Sequence, residues 1–80
     1  MPTFMVQNLS DKEIRLGIEP WADLEVMAPS ARVIFEYIEP AEIEFTVFPD
    51  DRVGVSIVSD QIKVLANGRE KIFRPPPGDW

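Results

Sequence analysis

Cysteine and histidine are both absent from this 80-residue chain. Without cysteine the protein has neither a disulfide framework nor a thiolate site. The absence of histidine removes the commonest general base near neutral pH and, together with cysteine, the commonest soft metal ligands. Catalysis would therefore depend on carboxylates, lysines, one tyrosine and a few hydroxyls. We expect a non-enzymatic protein that needs no cofactor.

Clustered glycines and long hydrophobic runs are also missing. The four glycines lie far apart in the chain, so no glycine-rich loop is present to hold a phosphate. No segment approaches the ~20 apolar residues that cross a bilayer, and no apolar run of signal-peptide length lies at the N-terminus. Small secreted domains often use cystines, which this chain lacks. The expectation is a soluble, cytoplasmic protein that does not bind a membrane.

Basic residues are few, and the net charge is −6. The charge is uneven, because residues 11–51 contain eleven acids and only three bases. Direct binding to DNA or RNA requires a basic footprint, so we do not expect it. The acidity favours solubility and also suits a basic partner. One alternative function is therefore an acidic mimic of nucleic acid that inhibits a DNA- or RNA-binding protein.

The residues that are present alternate between apolar and polar, which is typical of half-buried strands. The clearest case is 42–48, where Ile43, Phe45 and Val47 share one face, which we expect to be buried. Prolines follow one another at intervals of nine to eleven residues between positions 20 and 49, as in sandwiches and barrels of short strands. The pattern predicts strands at 3–7, 13–18, 24–26, 32–38, 42–48, 53–58, 61–66 and 69–73.

These strands predict an all-β fold: a small antiparallel β-sandwich or flattened barrel of 7–8 short strands without significant helix. Asn67-Gly68 predicts a type I′ turn, because both residues accept a positive φ, and hence a hairpin between the last two strands. Residues 1–73 would form the single domain. Residues 74–80, with three consecutive prolines, would form an extended Pro-rich tail.

The segment 32–38 offers a candidate contact surface. Val33, Phe35 and Tyr37 are in phase and are expected in the core, which leaves Ile34 and Ile38 on the other face. Exposed isoleucines of this kind often mark a contact with a partner or a second copy. A strand that is buried on both faces, by means of a bulge, is an equally open interpretation.

Carboxylates form a second candidate feature. Glu42 and Glu44 share a strand face, and Glu36 would lie beside them if its strand were the neighbour in the sheet. The favoured interpretation is a solvated outer face, since such faces normally carry charge. The alternatives are an acidic patch for a partner, or a metal- or sugar-binding site.

Aromatic residues complete the candidate surface. Trp21 follows a proline in a loop and is expected to cover one end of the core, with a role in binding as the alternative. Phe48 and Trp80 are further apolar contacts. The predicted function is a protein–protein interaction or self-association module, with a protein partner or a homo-oligomer such as a dimer. The candidate interaction surface comprises Trp21, Ile34, Glu36, Ile38, Glu42, Glu44, Phe48 and Trp80.

Overall fold

The computed structural model describes residues 1–74, which contain eight strands and no helix. The predicted Pro-rich tail and Trp80 lie outside the described residues, apart from Arg74. The strands are β1 (Thr3–Gln7), β2 (Ile14–Glu19), β3 (Asp23–Met27), β4 (Arg32–Tyr37), β5 (Glu42–Phe48), β6 (Arg52–Val58), β7 (Ile62–Ala66) and β8 (Arg69–Phe73). Each agrees with its prediction to within one residue at either end.

The strands form two four-stranded sheets. Sheet A has the order β1-β4-β7-β8, and sheet B has the order β3-β2-β6-β5. This architecture confirms the predicted small all-β sandwich. Five of the six strand pairings in the described chain are antiparallel, and the exception is β2 with β6, which run parallel. Local alternation contains no information about strand direction, so this exception had no signal in the sequence.

The core lies between the sheets and is built from their inward-facing apolar side chains. Phe35 is fully buried at its centre and stacks on Phe4, with ring centroids 4.6 Å apart. Val33 is also buried, and Tyr37 is half-buried against the core, as its phase in the strand predicts. The fully or nearly fully buried apolar residues are Leu16, Ile18, Met27, Val33, Phe35, Val55, Ile57, Ile62, Val64 and Ala66.

The predicted hairpin at Asn67-Gly68 is present. Ala66 pairs with Arg69 across the turn, and both turn residues have a positive φ, 51° and 73° respectively. These values place the pair in the left-handed region that a type I′ turn requires.

The segments 32–38 and 42–48 are not neighbours in one sheet, so the condition for placing Glu36 beside Glu42 and Glu44 is not met. β4 belongs to sheet A and β5 to sheet B, so the connection through Pro40 passes from one sheet to the other. Glu36 therefore does not lie beside Glu42 and Glu44. It instead pairs in register with Lys63 on β7, and the ammonium lies 3.8 Å from its carboxylate.

The predicted burial of β5 is wrong in part. Its residues face the predicted way, because Phe45 is in register with buried Val55 and Val47 with half-buried Val53. Ile43 packs against the core, but Phe45 is 55% exposed and Val47 is 80% exposed. β5 is the edge strand of sheet B, and the edge strand β1 of sheet A meets it through an edge-on contact of Phe4 with Phe45 at 5.5 Å.

Two buried polar residues fix the loops at the ends of the sandwich. The side-chain amide of Asn8 donates to the carbonyls of Lys12 and Met27 at 2.8 and 2.9 Å, and its Oδ1 accepts from Ser10. The hydroxyl of Ser59 donates to the Ile38 carbonyl at 2.7 Å. These bonds satisfy backbone groups that the strand ladders leave over.

The position of an aromatic residue relative to the opposite sheet should determine its contribution to stability. We expect Phe35→Ala to lower the free energy of unfolding by about 3–5 kcal/mol, because it leaves a cavity between the sheets. Phe45→Ala should cost about 1 kcal/mol, the size of one aromatic pair contact. Urea denaturation followed by tryptophan fluorescence measures both values. Equal losses would contradict the edge position of Phe45.

Candidate functional site

Strand β5 is unusual because its inner face, its outer face and its free edge are all partly exposed to solvent. Its inner face carries the exposed Phe45 and Val47. Its outer face carries Glu42, Glu44 and Phe48, all exposed. Its free edge has no neighbouring strand among residues 1–74. An uncovered edge presents unpaired backbone N–H and C=O groups together with side chains, which is a template for a further strand.

The outer face of sheet B contains a groove with glycines at its floor, which we call the glycine groove. Gly17 on β2 and Gly54 on β6 are in register across the parallel pair. On either side of them stand Leu24 of β3 and Thr46 of β5, which are their partners in the sheet. The groove has a volume of about 440 Å³.

Neither groove glycine is required by the backbone, since neither has a positive φ. A Cβ at Gly17 would meet only the Val53 carbonyl oxygen, at 4.0 Å, whereas a Cβ at Gly54 would lie 3.3 Å from Cε2 of Phe48. The Phe48 ring thus leans over Gly54. Glycine inside a strand weakens it and often marks a place where another molecule or backbone approaches closely. The open space above Gly17 leaves room for such a close approach.

The two ends of the glycine groove differ in charge. Arg15 and Arg52 are in register at one end, and Glu19 is at the other, with Glu44 beside Ser56. The Arg52 guanidinium lies 4.7 Å from the centroid of the Phe48 ring.

Asp50 lies beside the arginines of the groove. Arg52 donates its Nε–H to Asp50 Oδ1 at 2.9 Å, and this bond lowers the pKa of the Asp50 carboxyl below its usual value. The arginines are therefore partly neutralised by their own chain.

The predicted interaction residues do not form one surface. Glu42, Glu44 and Phe48 share the outer face of sheet B, whereas Ile34 and Glu36 lie on the outer face of sheet A. Ile34 is exposed there beside Met5, its partner on β1.

The remaining predicted residues are half-buried or lie outside the described residues. Ile38 follows β4 and is half-buried, with its backbone bonded to Ser59. Trp21 packs on the core as predicted, with its ring 5.0 Å from that of Phe73, and donates its indole N–H to the Arg74 carbonyl. Trp80 is not among the described residues.

Four residues of the site were missed from the sequence: Phe45, Val47, Gly17 and Gly54. The first two were assigned to the core because alternation identifies a face but not what covers it. The glycines carried a weak signal, since each interrupts the alternating pattern inside a strand. Their register across β2 and β6 became visible only with the fold.

Comparisons with known proteins assign nothing further. No protein-family model, no curated protein and no solved structure matches the chain. In the described part of the chain, no group of three or more acidic side chains is arranged to hold a metal ion. Nor does that part contain a helix long and apolar enough to cross a membrane.

The opposite edge of the sandwich is closed by charges. Glu25 of β3 points inward and is only 2% exposed, and Lys71 of β8 brings its ammonium within 2.8 Å of Oε1. The geometry at Oε1 is that of an ion pair rather than a hydrogen bond. Lys71 also donates to Asp23 at 2.9 Å, and Asn67 donates its amide to Glu25 Oε2 at 3.1 Å. Glu25, and secondarily Asp23, raises the pKa of Lys71.

Loss of this ammonium should destabilise the fold, because it leaves the Glu25 carboxylate buried without its nearest cation. We expect Lys71→Met to lower the free energy of unfolding by about 3 kcal/mol. Lys63→Met is the matched control: the Lys63 side chain is equally exposed, but its partners Glu36 and Glu70 are more exposed than Glu25. The control should cost about 0.5 kcal/mol. Urea denaturation at pH 7 compares them, and equal losses would contradict the account.

The same ion pair has a defined pH dependence. A raised pKa in the folded state means that the contribution of Lys71 is complete below the unfolded pKa of lysine, about 10.4. It is lost as pH rises through the folded value. The stability difference between the wild type and Lys71→Met should therefore be constant from pH 7 to about 10 and shrink above that. A difference that falls between pH 7 and 9 would contradict this assignment.

The groove glycines are expected to be dispensable for folding. Gly17→Ala should raise the free energy of unfolding by about 0.5 kcal/mol, because the methyl group meets no obstacle and the unfolded chain loses freedom. Gly54→Ala should gain less, since the Phe48 ring must move. Urea denaturation of both variants measures the difference. A clear loss for Gly17→Ala would mean that the fold itself needs this glycine.

Proposed function

We propose that the protein is a non-enzymatic interaction module, and that β5 is the strand through which it binds another protein chain. The observation that carries the proposal is the exposure of Phe45 and Val47 on the inner face of an edge strand. Large apolar side chains at that position are normally covered by the facing sheet. Their exposure favours coverage by a partner.

Composition supports the non-enzymatic part of the proposal. The chain has no histidine and no cysteine, so the usual nucleophile–base pairs are missing. The groups with shifted pKa values, Lys71 and Asp50, owe their shifts to ion pairs and hydrogen bonds within the chain.

The acidic-mimic alternative has less support. Glu42 and Glu44 share their sheet face with Arg15 and Arg52, and Glu36 is on the opposite face of the sandwich. A mimic of nucleic acid needs many negative charges on one surface, with few positive charges among them.

A pair of charge substitutions on the two edges of sheet B tests the function. Val47→Lys places an ammonium in the β5 surface without opening a cavity, since Val47 is 80% exposed. We expect this variant to stay folded but to lose at least tenfold in affinity for whatever the wild type binds. The measurement is capture from a lysate of the source cells, followed by titration of the captured proteins in solution.

Val26→Lys is the control. Val26 is 42% exposed and lies on β3 at the other edge of the sheet, outside the glycine groove. This variant should bind as the wild type does. If Val47→Lys retains every partner at full affinity, β5 is not the binding strand.

A further inference from the structure

We infer that the occupant of the β5 edge is the β5 strand of a second copy, paired antiparallel about a twofold axis at Phe45. This inference rests on the proposed function and names its partner. The result is one continuous eight-stranded sheet made from two copies of sheet B. Such strand addition supplies backbone hydrogen bonds and places alternate side chains side by side.

Among the four edges in the described chain, β5 is the longest and the only one that exposes large apolar side chains on its inner face. The edge strand β3 points Asp23 and Glu25 inward, and inward charges discourage strand addition. The edge strand β8 has charges at three of its five positions, and β1 is only five residues long. β5 has seven residues, no lysine or proline, and three apolar residues on its inner face.

The residue order of β5 is self-complementary in this register. With Phe45 opposite Phe45 of the second copy, Ile43 lies opposite Val47 and the reverse. Cross-strand pairs of aromatic and β-branched residues stabilise a sheet. Each copy thereby covers Phe45 and Val47 of the other copy. The inner apolar strip then runs without interruption across both copies.

The charges fit the same register. On the outer face, Glu44 lies opposite Thr46 of the second copy, and Glu42 lies opposite Phe48. No carboxylate therefore faces a carboxylate directly. A register centred on Glu44 would instead oppose two copies of Glu44, and like charges directly opposite destabilise a strand pair.

The interface is small, so the affinity is modest. Contacts that bury less than about 1,200 Å² in total belong to the weak, transient class. Sedimentation velocity should therefore give a monomer at about 1 μM and a dimer at several hundred micromolar, values typical of that class. Val47→Lys should remain monomeric throughout that range, because two ammonium groups enter the apolar strip. Val26→Lys should dimerise as the wild type does.

Single-cysteine variants test the register, because the chain has no cysteine of its own. Opposed residues in antiparallel strands have Cβ atoms about 5 Å apart, close enough for a disulfide after a small adjustment. Phe45→Cys should therefore give a cross-linked homodimer on mild oxidation. Val47→Cys should not, since the two copies of position 47 lie roughly 13 Å apart along the strand.

A second pair keeps the Phe45 side chain in place. An equimolar mixture of Glu44→Cys and Thr46→Cys should give mainly the heterodimer, because these positions oppose each other in the inferred register. Circular dichroism confirms that each variant is folded. If Val47→Cys cross-links faster than Phe45→Cys, the inferred register is wrong.

The outcomes separate this inference from the proposed function. A wild type that stays monomeric at several hundred micromolar, with no cross-linking of any folded variant, overturns the second-copy inference. The proposed function then depends only on whether Val47→Lys loses captured partners that Val26→Lys keeps. A dimer that Val26→Lys breaks and Val47→Lys does not would overturn the inference and the choice of β5 together.

Discussion

The arrangement of the whole molecule depends on the parallel pairing of β2 with β6. This pairing joins two parts of the chain that are far apart in sequence and makes sheet B from them. It places Gly17 beside Gly54, which produces the glycine groove. It also occupies one side of β6 along 52–56, and β5 pairs with the other side and ends the sheet. The edge position of the candidate binding strand is therefore a consequence of topology.

The sandwich ends differently at its two edges, and the difference explains which edge is available. At the β3–β8 edge, the ion pair of Glu25 with Lys71 spans the gap between the sheets and replaces apolar contacts. At the β1–β5 edge, Phe45 contacts Phe4 but Val47 is 80% exposed. One edge thus satisfies its charges internally, while the other leaves apolar surface uncovered. A contact that removes an apolar side chain from water is favourable in free energy.

The sequence predicted the strands well because the signal for a strand is local. A period of two assigned Val33 and Phe35 to the core, and Asn67-Gly68 fixed the final hairpin. Sheet membership is not local, which is why the sequence left open whether β4 and β5 are neighbours and wrongly predicted that Phe45 is buried. Glu25 illustrates the same limit. Its carboxylate is buried only because Lys71, Asn67 and Arg69 come from distant positions to meet it.

The turn at Asn67 and Gly68 has a consequence for engineering this chain. It is the shortest connection between the described strands, and a two-residue hairpin tip usually tolerates grafted loops or new chain termini. Here the Asn67 amide also reaches across to the Glu25 carboxylate and to the carbonyl of Val26, at 3.1 and 3.2 Å. Lengthening this tip would remove two hydrogen bonds between the sheets, one of which is made to the buried Glu25 carboxylate. The Asn67-Gly68 tip, which its length and position favour as an insertion point, is therefore one of the least suitable positions for foreign sequence.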